Sequence, residues 1–309
     1  MAKLSGAQII INYLEKRGIY LISGIPGGAN LPLYDALASE PGIRHVLARH
    51  EQGAGFIAQG MARSTGKIGV CFATSGPGAT NVLTAIADAY LDSVPLICIT
   101  GQVPSALLGT YASQELYTYG MSVPTTKHNY LVRSAKDLLR ILPRAFSLAG
   151  SGRPGPVLID VPKNVQTEVI EFDGWPDEAT QERDPEICGA SITKAAAMIN
   201  QAKRPMLYLG GGVIHAGAAA EARNLAEQGN IPVVMTLMGL GIMPADHPLS
   251  LGMLGMHASR ATSLAMAECD LLIAAGVRFD DRATGLLSGF CPEAKVIHVD
   301  IDASELGKL

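Results

Sequence analysis

Short, uninterrupted apolar runs constrain this chain more than any other feature: IGVCFAT (68–74), VPLICIT (94–100), PVLIDVP (156–162), PMLYLG (205–210), IPVVMT (231–236), DLLIAAG (270–276) and KVIHVDID (295–302). A strand with one face in water alternates apolar and polar residues, whereas a strand covered on both faces reads as a continuous run. Stretches with helical periodicity separate the runs. Ala54, Ile57, Ala58 and Met61 share one face of a helix expected over 51–63, and further helices are expected over 137–149, from 191, ending at Gly229 and over 261–268. Ser5 to Gln8 fits a capping box ahead of a first helix that Gly18 ends. Strands alternating with helices imply a doubly wound parallel α/β sheet.

The alternation breaks once. Residues 168–186 hold eight acidic residues against one basic, Arg183, with Trp175-Pro176 inside. We read an exposed acidic linker over 166–190, between a first domain at 1–165 and a second at 191–309. A chain of 309 residues, 48% apolar and 17% charged, buries two such cores without disulfide or metal staples. A net charge of −4 gives no reason to expect nucleic acid or an anionic membrane as partner. The five cysteines form no C-x-x-C pair and no zinc spacing, so buried reduced thiols and a cytoplasmic setting are expected. No apolar run approaches the ~20 residues of a membrane span, and the N-terminus lacks a signal-peptide core of ~7–15 apolar residues.

Ligands of parallel sheets lie beyond the carboxyl ends of the strands. Three loops of the first domain qualify: GIPGG (24–28), the turn before Glu51, and SGPGATN (75–81). Their glycines let backbone approach a ligand closely. Glu51 opens a helix, where a carboxylate is ordinarily a partner of the helix dipole; the functional reading is an acid that exchanges a proton with a ring nitrogen.

GIPGGANLPLYDAL, RHEQGAGFIAQGMAR, ATSGPGATN, SVPLICITGQVP and SGRPGPVLIDVPK occur in this order. Together they resemble the N-terminal domain of the large catalytic subunit of acetohydroxyacid (acetolactate) synthase, a thiamine diphosphate enzyme. LGMLGMH (251–257) and GVRFDDRATG (276–285) resemble that family's central FAD-binding domain. The resemblance covers the whole chain and implies a pyrimidine-binding domain followed by a truncated Rossmann-like FAD-binding domain.

The resemblance gives residues roles. Glu51 would bond N1′ of the cofactor's aminopyrimidine, and Gln114 would face the thiazolium and substrate. Gly27, Gly28, Pro77 and Asn81 would also meet thiamine diphosphate. Arg153, Gly211, Gly212, Thr236, Leu237, Leu254, Gly255, Met256, His257, Gly276, Arg278, Asp280, Arg282 and Asp300 would hold FAD, which is mainly structural in the family. Arg278 would also take the second substrate's carboxylate, which suits a guanidinium fork; its ordinary alternative is a salt bridge to Asp280 or Asp281. Lys163 would lie near the substrate path or stand as a solvated lysine at a helix start. His50 reads as a packing residue, and His128 and His257 as either structural or ligand-facing.

The implied reaction decarboxylates pyruvate and joins the product to a second pyruvate or to 2-ketobutyrate. Family enzymes are dimers or larger and often bind a small regulatory subunit. The departures are specific. The G-x-G-x-x-G fingerprint is absent around Gly210-Gly211-Gly212-Val213. Ser113 stands where the family usually carries an aromatic residue beside the glutamine. No G-D-G…N-N motif, the family's Mg²⁺ and diphosphate anchor, occurs in the sequence, so no metal site is expected in this chain. Other thiamine diphosphate enzymes acting on 2-keto acids, and a non-catalytic remnant or partner chain, remain open alternatives.

Overall fold

A computed structural model describes residues 2–176 and 187–308. The chain divides into two compact units, Met1–Arg183 and Asp184–Leu309.

In the first unit the strands are β1 (Ala2–Ser5), β2 (Leu21–Gly24), β3 (Arg44–Leu47), β4 (Gly69–Ala73), β5 (Leu96–Gln102), β6 (His128–Leu131), β7 (Pro156–Pro162) and β8 (Val169–Phe172). The helices are α1 (Gly6–Lys16), α2 (Leu31–Ala38), α3 (Glu51–Thr65), α4 (Pro77–Leu91), α5 (Thr118–Ser122), α6 (Ala135–Gly150) and α7 (Lys163–Thr167). Six strands form a parallel sheet in the order β3-β2-β4-β5-β7-β6.

Successive residues of β4 point to opposite faces, and both faces are covered. Val70 and Phe72 join a core with Ile10 and Leu14 of α1 and Leu142 of α6. Cys71 and Ala73 join another with Ala58 and Ala62 of α3 and Val82 and Ile86 of α4. This two-sided burial is why the strand sequences do not alternate. The capping box at Ser5 is present, with Ser5 Oγ accepting from Gln8 N at 3.2 Å and Gln8 Oε1 accepting from Ser5 N at 2.9 Å.

The stretch expected as a linker over 166–190 is ordered at both ends. β8 pairs antiparallel with β1, its Ile170 and Phe172 half-buried while Val169 and Glu171 face water. Trp175 packs on Tyr13 at 4.5 Å between ring centroids and donates Nε1–H to Asn12 Oδ1 at 2.9 Å. Glu171 sits on the solvated face of β8, so a one-sided strand read as part of an acidic stretch. Residues 177–186 of that expected linker lie outside the described residues.

In the second unit the strands are β9 (Pro205–Leu209), β10 (Val233–Met235), β11 (Ser250–Met253), β12 (Leu271–Ala275) and β13 (Lys295–Val299). The helices are α8 (Gly189–Gln201), α9 (Gly211–His215), α10 (Ala219–Gly229), α11 (Arg260–Glu268) and α12 (Asp281–Thr284). The sheet is again parallel, in the order β11-β10-β9-β12-β13. Leu207 and Leu209 of β9 enter one core, Met206 and Tyr208 the other. Cys71, Cys98, Cys269 and Cys291 are buried free thiols, as expected, but Cys188 is exposed, because it precedes α8 outside either core. Among the described residues no helix is long and apolar enough to cross a membrane.

Candidate active site

In the first unit the strand order reverses between β2 and β4, and at such a switch point the loops leaving neighbouring strands diverge and open a crevice. The glycine loop after β2 and the Ser75–Gly78 turn after β4 both end there. They converge on Thr74: a Cβ on Gly27 would lie 2.6 Å from Thr74 Cβ, and one on Gly78 would lie 2.7 Å from Thr74 Cγ2. Only glycine permits this closeness. The loop is further held by Asn30, whose Oδ1 accepts from Gly27 N at 2.7 Å, and by Gln166 of α7, whose Nε2 donates to Ala29 O at 2.8 Å.

Glu51 is the first residue of α3, half-buried, behind His50, whose Nδ1 caps the helix by accepting from Gln52 N at 3.1 Å. Glu51 Oε2 accepts from Asn81 Nδ2 of α4 at 2.9 Å. Oε1 has no hydrogen-bond partner among the described residues and faces Gly78, where a Cβ would come within 3.4 Å. One oxygen is thus held by Asn81 and the other lies against Gly78 in the first turn of α4. The nearby Tyr34 hydroxyl is buried and unpartnered among the described residues. Burial, then the fields of Cys71 and Glu51, push its ionisation well up, so it stays neutral beside the carboxylate.

Gln114 approaches the same turn from another loop. Its backbone lies against Gly76, where a Cβ would meet Gln114 Cα at 2.9 Å, and Gln114 itself has φ 60°. Its side chain and that of Ser113 are exposed. Gly27, Gly28, Pro77, Asn81, Glu51 and Gln114 therefore gather at one end of one sheet. Lys163, half-buried, starts α7 at the carboxyl end of β7, on the same side of the sheet. Arg153 does not join them. It precedes β7 at the opposite, amino end of the strands, where its Nε donates to Ser93 Oγ at 2.8 Å.

The second unit repeats the arrangement. Its order reverses between β9 and β12, and there Gly212 and Gly276 touch: a Cβ on either would lie 2.6 Å from the other's Cα. Gly211 and Gly212 follow β9, Thr236 and Leu237 follow β10, Leu254 to His257 follow β11, Gly276 to Arg282 follow β12, and Asp300 follows β13. All the positions expected on a dinucleotide in this unit stand at strand carboxyl ends. A cleft of about 600 Å³ is lined by Leu254, Gly255, Met256, Arg282 and Phe290 among others. Tyr208, fully buried on β9, has no partner for its hydroxyl among the described residues and lies within reach of the charges of Asp280 and Arg278. The strand-end glycines and the buried Tyr208 hydroxyl, unpartnered among the described residues, are the groups of this unit that would suit a dinucleotide. Arg282 pairs with Asp281 at 3.8 Å on the surface; Arg278 is half-buried. His128 is exposed against Tyr130, and His257 is exposed in a short turn. Among the described residues no group of three His, Cys, Asp or Glu side chains is placed to hold a metal.

Residues 4–121 match the family model for the N-terminal TPP binding domain of thiamine pyrophosphate enzymes, and residues 192–309 match that for their central domain. The chain belongs to the thiamine pyrophosphate enzymes. Within this family it is 60% identical over 307 residues to the acetolactate synthase isozyme 1 large subunit of Escherichia coli (strain K12), covering 99% of this chain and 54% of that one. It is 51% identical over 310 residues to the acetolactate synthase large subunit of Corynebacterium glutamicum, covering 99% and 49%. It is 49% identical over 310 residues to a probable acetolactate synthase large subunit of Methanocaldococcus jannaschii, covering 99% and 52%. The resemblance carried by the motifs therefore holds over the whole chain, which spans about half the length of these curated relatives. Sequence reasoning missed the Asn81–Glu51 pairing and the Gln166 and Asn30 braces. A signal existed, since polar residues at strand ends in otherwise apolar segments need partners once buried.

Proposed function

We propose that this chain forms the pyrimidine-holding half and the central part of an acetolactate synthase large subunit, a 2-keto acid carboligase. The observation that carries the reading is Glu51: a carboxylate at a switch point, one oxygen held by Asn81 and the other unpartnered among the described residues and lying against Gly78. When bound, thiamine diphosphate supplies an electron sink for the pair released as CO₂ leaves a 2-keto acid. Glu51 would hold a proton at N1′ of the aminopyrimidine. Asn81 fixes the carboxyl plane, so the free oxygen meets the ring rather than solvent. Gly28, with nothing within 4 Å of its Cβ position, would leave room for the ring, Gly27 and Gly78 bring their turns close to Thr74, and Pro77 starts α4 so that its first turn would face the ring. The neutral Tyr34 hydroxyl adds no competing charge. Gln114, on the loop against Gly76, would meet the substrate side.

The acceptor would be pyruvate or 2-ketobutyrate, which differ by one methylene, a difference of only ~1–3 kcal/mol in a pocket. Arg278 carries a guanidinium fork that would suit a carboxylate, and Lys163 would line the approach. FAD would lie against the second unit's strand ends from Gly211 to Asp300, and no net redox change is required of it. Diphosphate and Mg²⁺ would be held by the further length that the relatives carry, which suits assembly as a homo-oligomer. A small regulatory subunit is the partner that the relatives' designation as large subunits suggests. The buried thiols suit the reducing cytoplasm.

The test is product analysis. Joined to the C-terminal half of the isozyme 1 relative and supplied with pyruvate, thiamine diphosphate, Mg²⁺ and FAD, the chain is expected to release acetolactate. Acetaldehyde as the main product would overturn the carboligase reading in favour of a decarboxylase, and no turnover by a folded fusion would favour a non-catalytic chain.

A further inference from the structure

β7 is apolar except for one carboxyl, Asp160, which is 1% exposed. No role assigned so far uses it. Its Oδ1 accepts from Thr100 Oγ1 at 2.7 Å and its Oδ2 from Gln102 Nε2 at 2.9 Å, both donors lying on β5. Gln102 is equally buried. Its second N–H donates to Leu116 O at 2.9 Å, and its Oε1 accepts from Val103 N at 2.9 Å. The amide therefore spans from the core carboxyl to the chain just beyond Gln114.

Within that chain Gly109 N donates to Glu115 Oε1 at 2.5 Å and Glu115 N to Ala112 O at 2.9 Å, but these bonds are internal to the segment and do not tie it to the sheet. Tyr111, Ser113 and Gln114 are exposed, and Tyr111 and Gln114 both carry positive φ, 58° and 60°. Non-glycine residues in that region are strained and persist where the surroundings impose them. The 103–118 segment is tied at one end by Asn164 Oδ1, which accepts from Ser105 N at 2.8 Å. At the other end it is tied by Gln102.

We propose that Asp160 is a positioning residue: through the Gln102 amide it holds the 103–118 segment, and with it Gln114, against the Gly76 turn. A carboxylate accepts hydrogen bonds and donates none, so it selects the amide orientation with Nε2 toward itself. That orientation leaves one N–H for Leu116 O and turns Oε1 to Val103 N. With the amide reversed, Oε1 would face Leu116 O and Val103 N–H would lose its acceptor. A neutral apolar side chain at 160 would fill the same space and exert no such selection. The mechanistic importance of the placement rests on the proposed function, in which Gln114 faces the substrate.

Hydrogen exchange read by mass spectrometry on the 309-residue chain tests this without cofactor or substrate. Asp160→Leu is expected to lower protection of peptides spanning 103–118 by about tenfold or more, the scale of one lost buried hydrogen bond, while β4 and α3 keep theirs. Asp160→Asn, whose Oδ1 still accepts from Gln102, is expected to restore protection. Should Asp160→Leu not fold, Gln102→Met gives the same local readout with Asp160 in place. Unchanged protection of 103–118 in Gln102→Met, or in a folded Asp160→Leu, would overturn the proposal. So would failure of Asp160→Asn to rescue it. Such a failure leaves the Glu51 reading standing, because no cofactor enters the measurement; failure of that reading leaves the exchange pattern intact.

Discussion

Glu51→Gln is expected to lower turnover of the completed enzyme by at least ~100-fold, the usual cost of losing a positioned acid–base group. The amide keeps the length and shape of the side chain and still accepts from Asn81 Nδ2. It cannot share a proton with a ring nitrogen as a carboxyl does. The fold should be untouched, since the only hydrogen bond that Glu51 makes among the described residues survives the change. Trp175, the sole tryptophan, packs on Tyr13 of the first unit and reports its unfolding by fluorescence. A variant with the wild-type unfolding curve and lost acetolactate production is the expected pair of results. Turnover within a few-fold of wild type would mean that Glu51 is a helix-dipole partner and nothing more.

Asp160→Asn is expected to stabilise the first unit, increasingly so as pH rises from about 4 to about 7. Burial pushes the Asp160 carboxyl up from 3.8 to about 7, with Thr100 and Gln102 pulling the other way. A group whose folded value is raised binds its proton more tightly when folded. Its contribution is then fully present below about 3.8 and is lost as pH climbs through about 7. At one pKa unit per 1.36 kcal/mol, the loss reaches up to about 4 kcal/mol. Asparagine keeps the acceptor for Gln102 and has no charge to desolvate. Urea unfolding followed through Trp175 should show a gap between variant and wild type that is small near pH 4 and widest at pH 7 and above. A gap that stays constant across this range, or closes as pH rises, would contradict the assignment of a costly buried carboxylate.

Much of the architecture was legible because burial on both faces writes itself as continuous apolar runs. PVLIDVP is the strand Pro156–Pro162 residue for residue, and the helix expected over 51–63 runs Glu51–Thr65. Elements with one wet face were harder to see. HNYL at 128–131 and VIEF at 169–172 are short edge strands whose half-buried side chains carry no continuous run. The helix Leu31–Ala38 is short, and its Asn30 makes no side-chain cap, although Pro32 stands in its first turn. At the site, the glycine loops and Glu51 were readable from strand ends. The partnership of Glu51 with Asn81, thirty positions apart, depends on α3 and α4 packing side by side, where Gly55 allows Ala85 close. Asp160 was visible as one carboxyl in an apolar strand, but its neighbours on β5 emerge only from the register Thr100↔Asp160.

The most direct test of the account is the position of one carboxyl in a crystal structure of the completed enzyme with thiamine diphosphate bound. The account predicts a Glu51 carboxyl oxygen within about 2.6–3.2 Å of N1′ of the aminopyrimidine, with Asn81 still donating to the other oxygen. A pyrimidine bound elsewhere, or Glu51 turned away into a salt bridge, would contradict it.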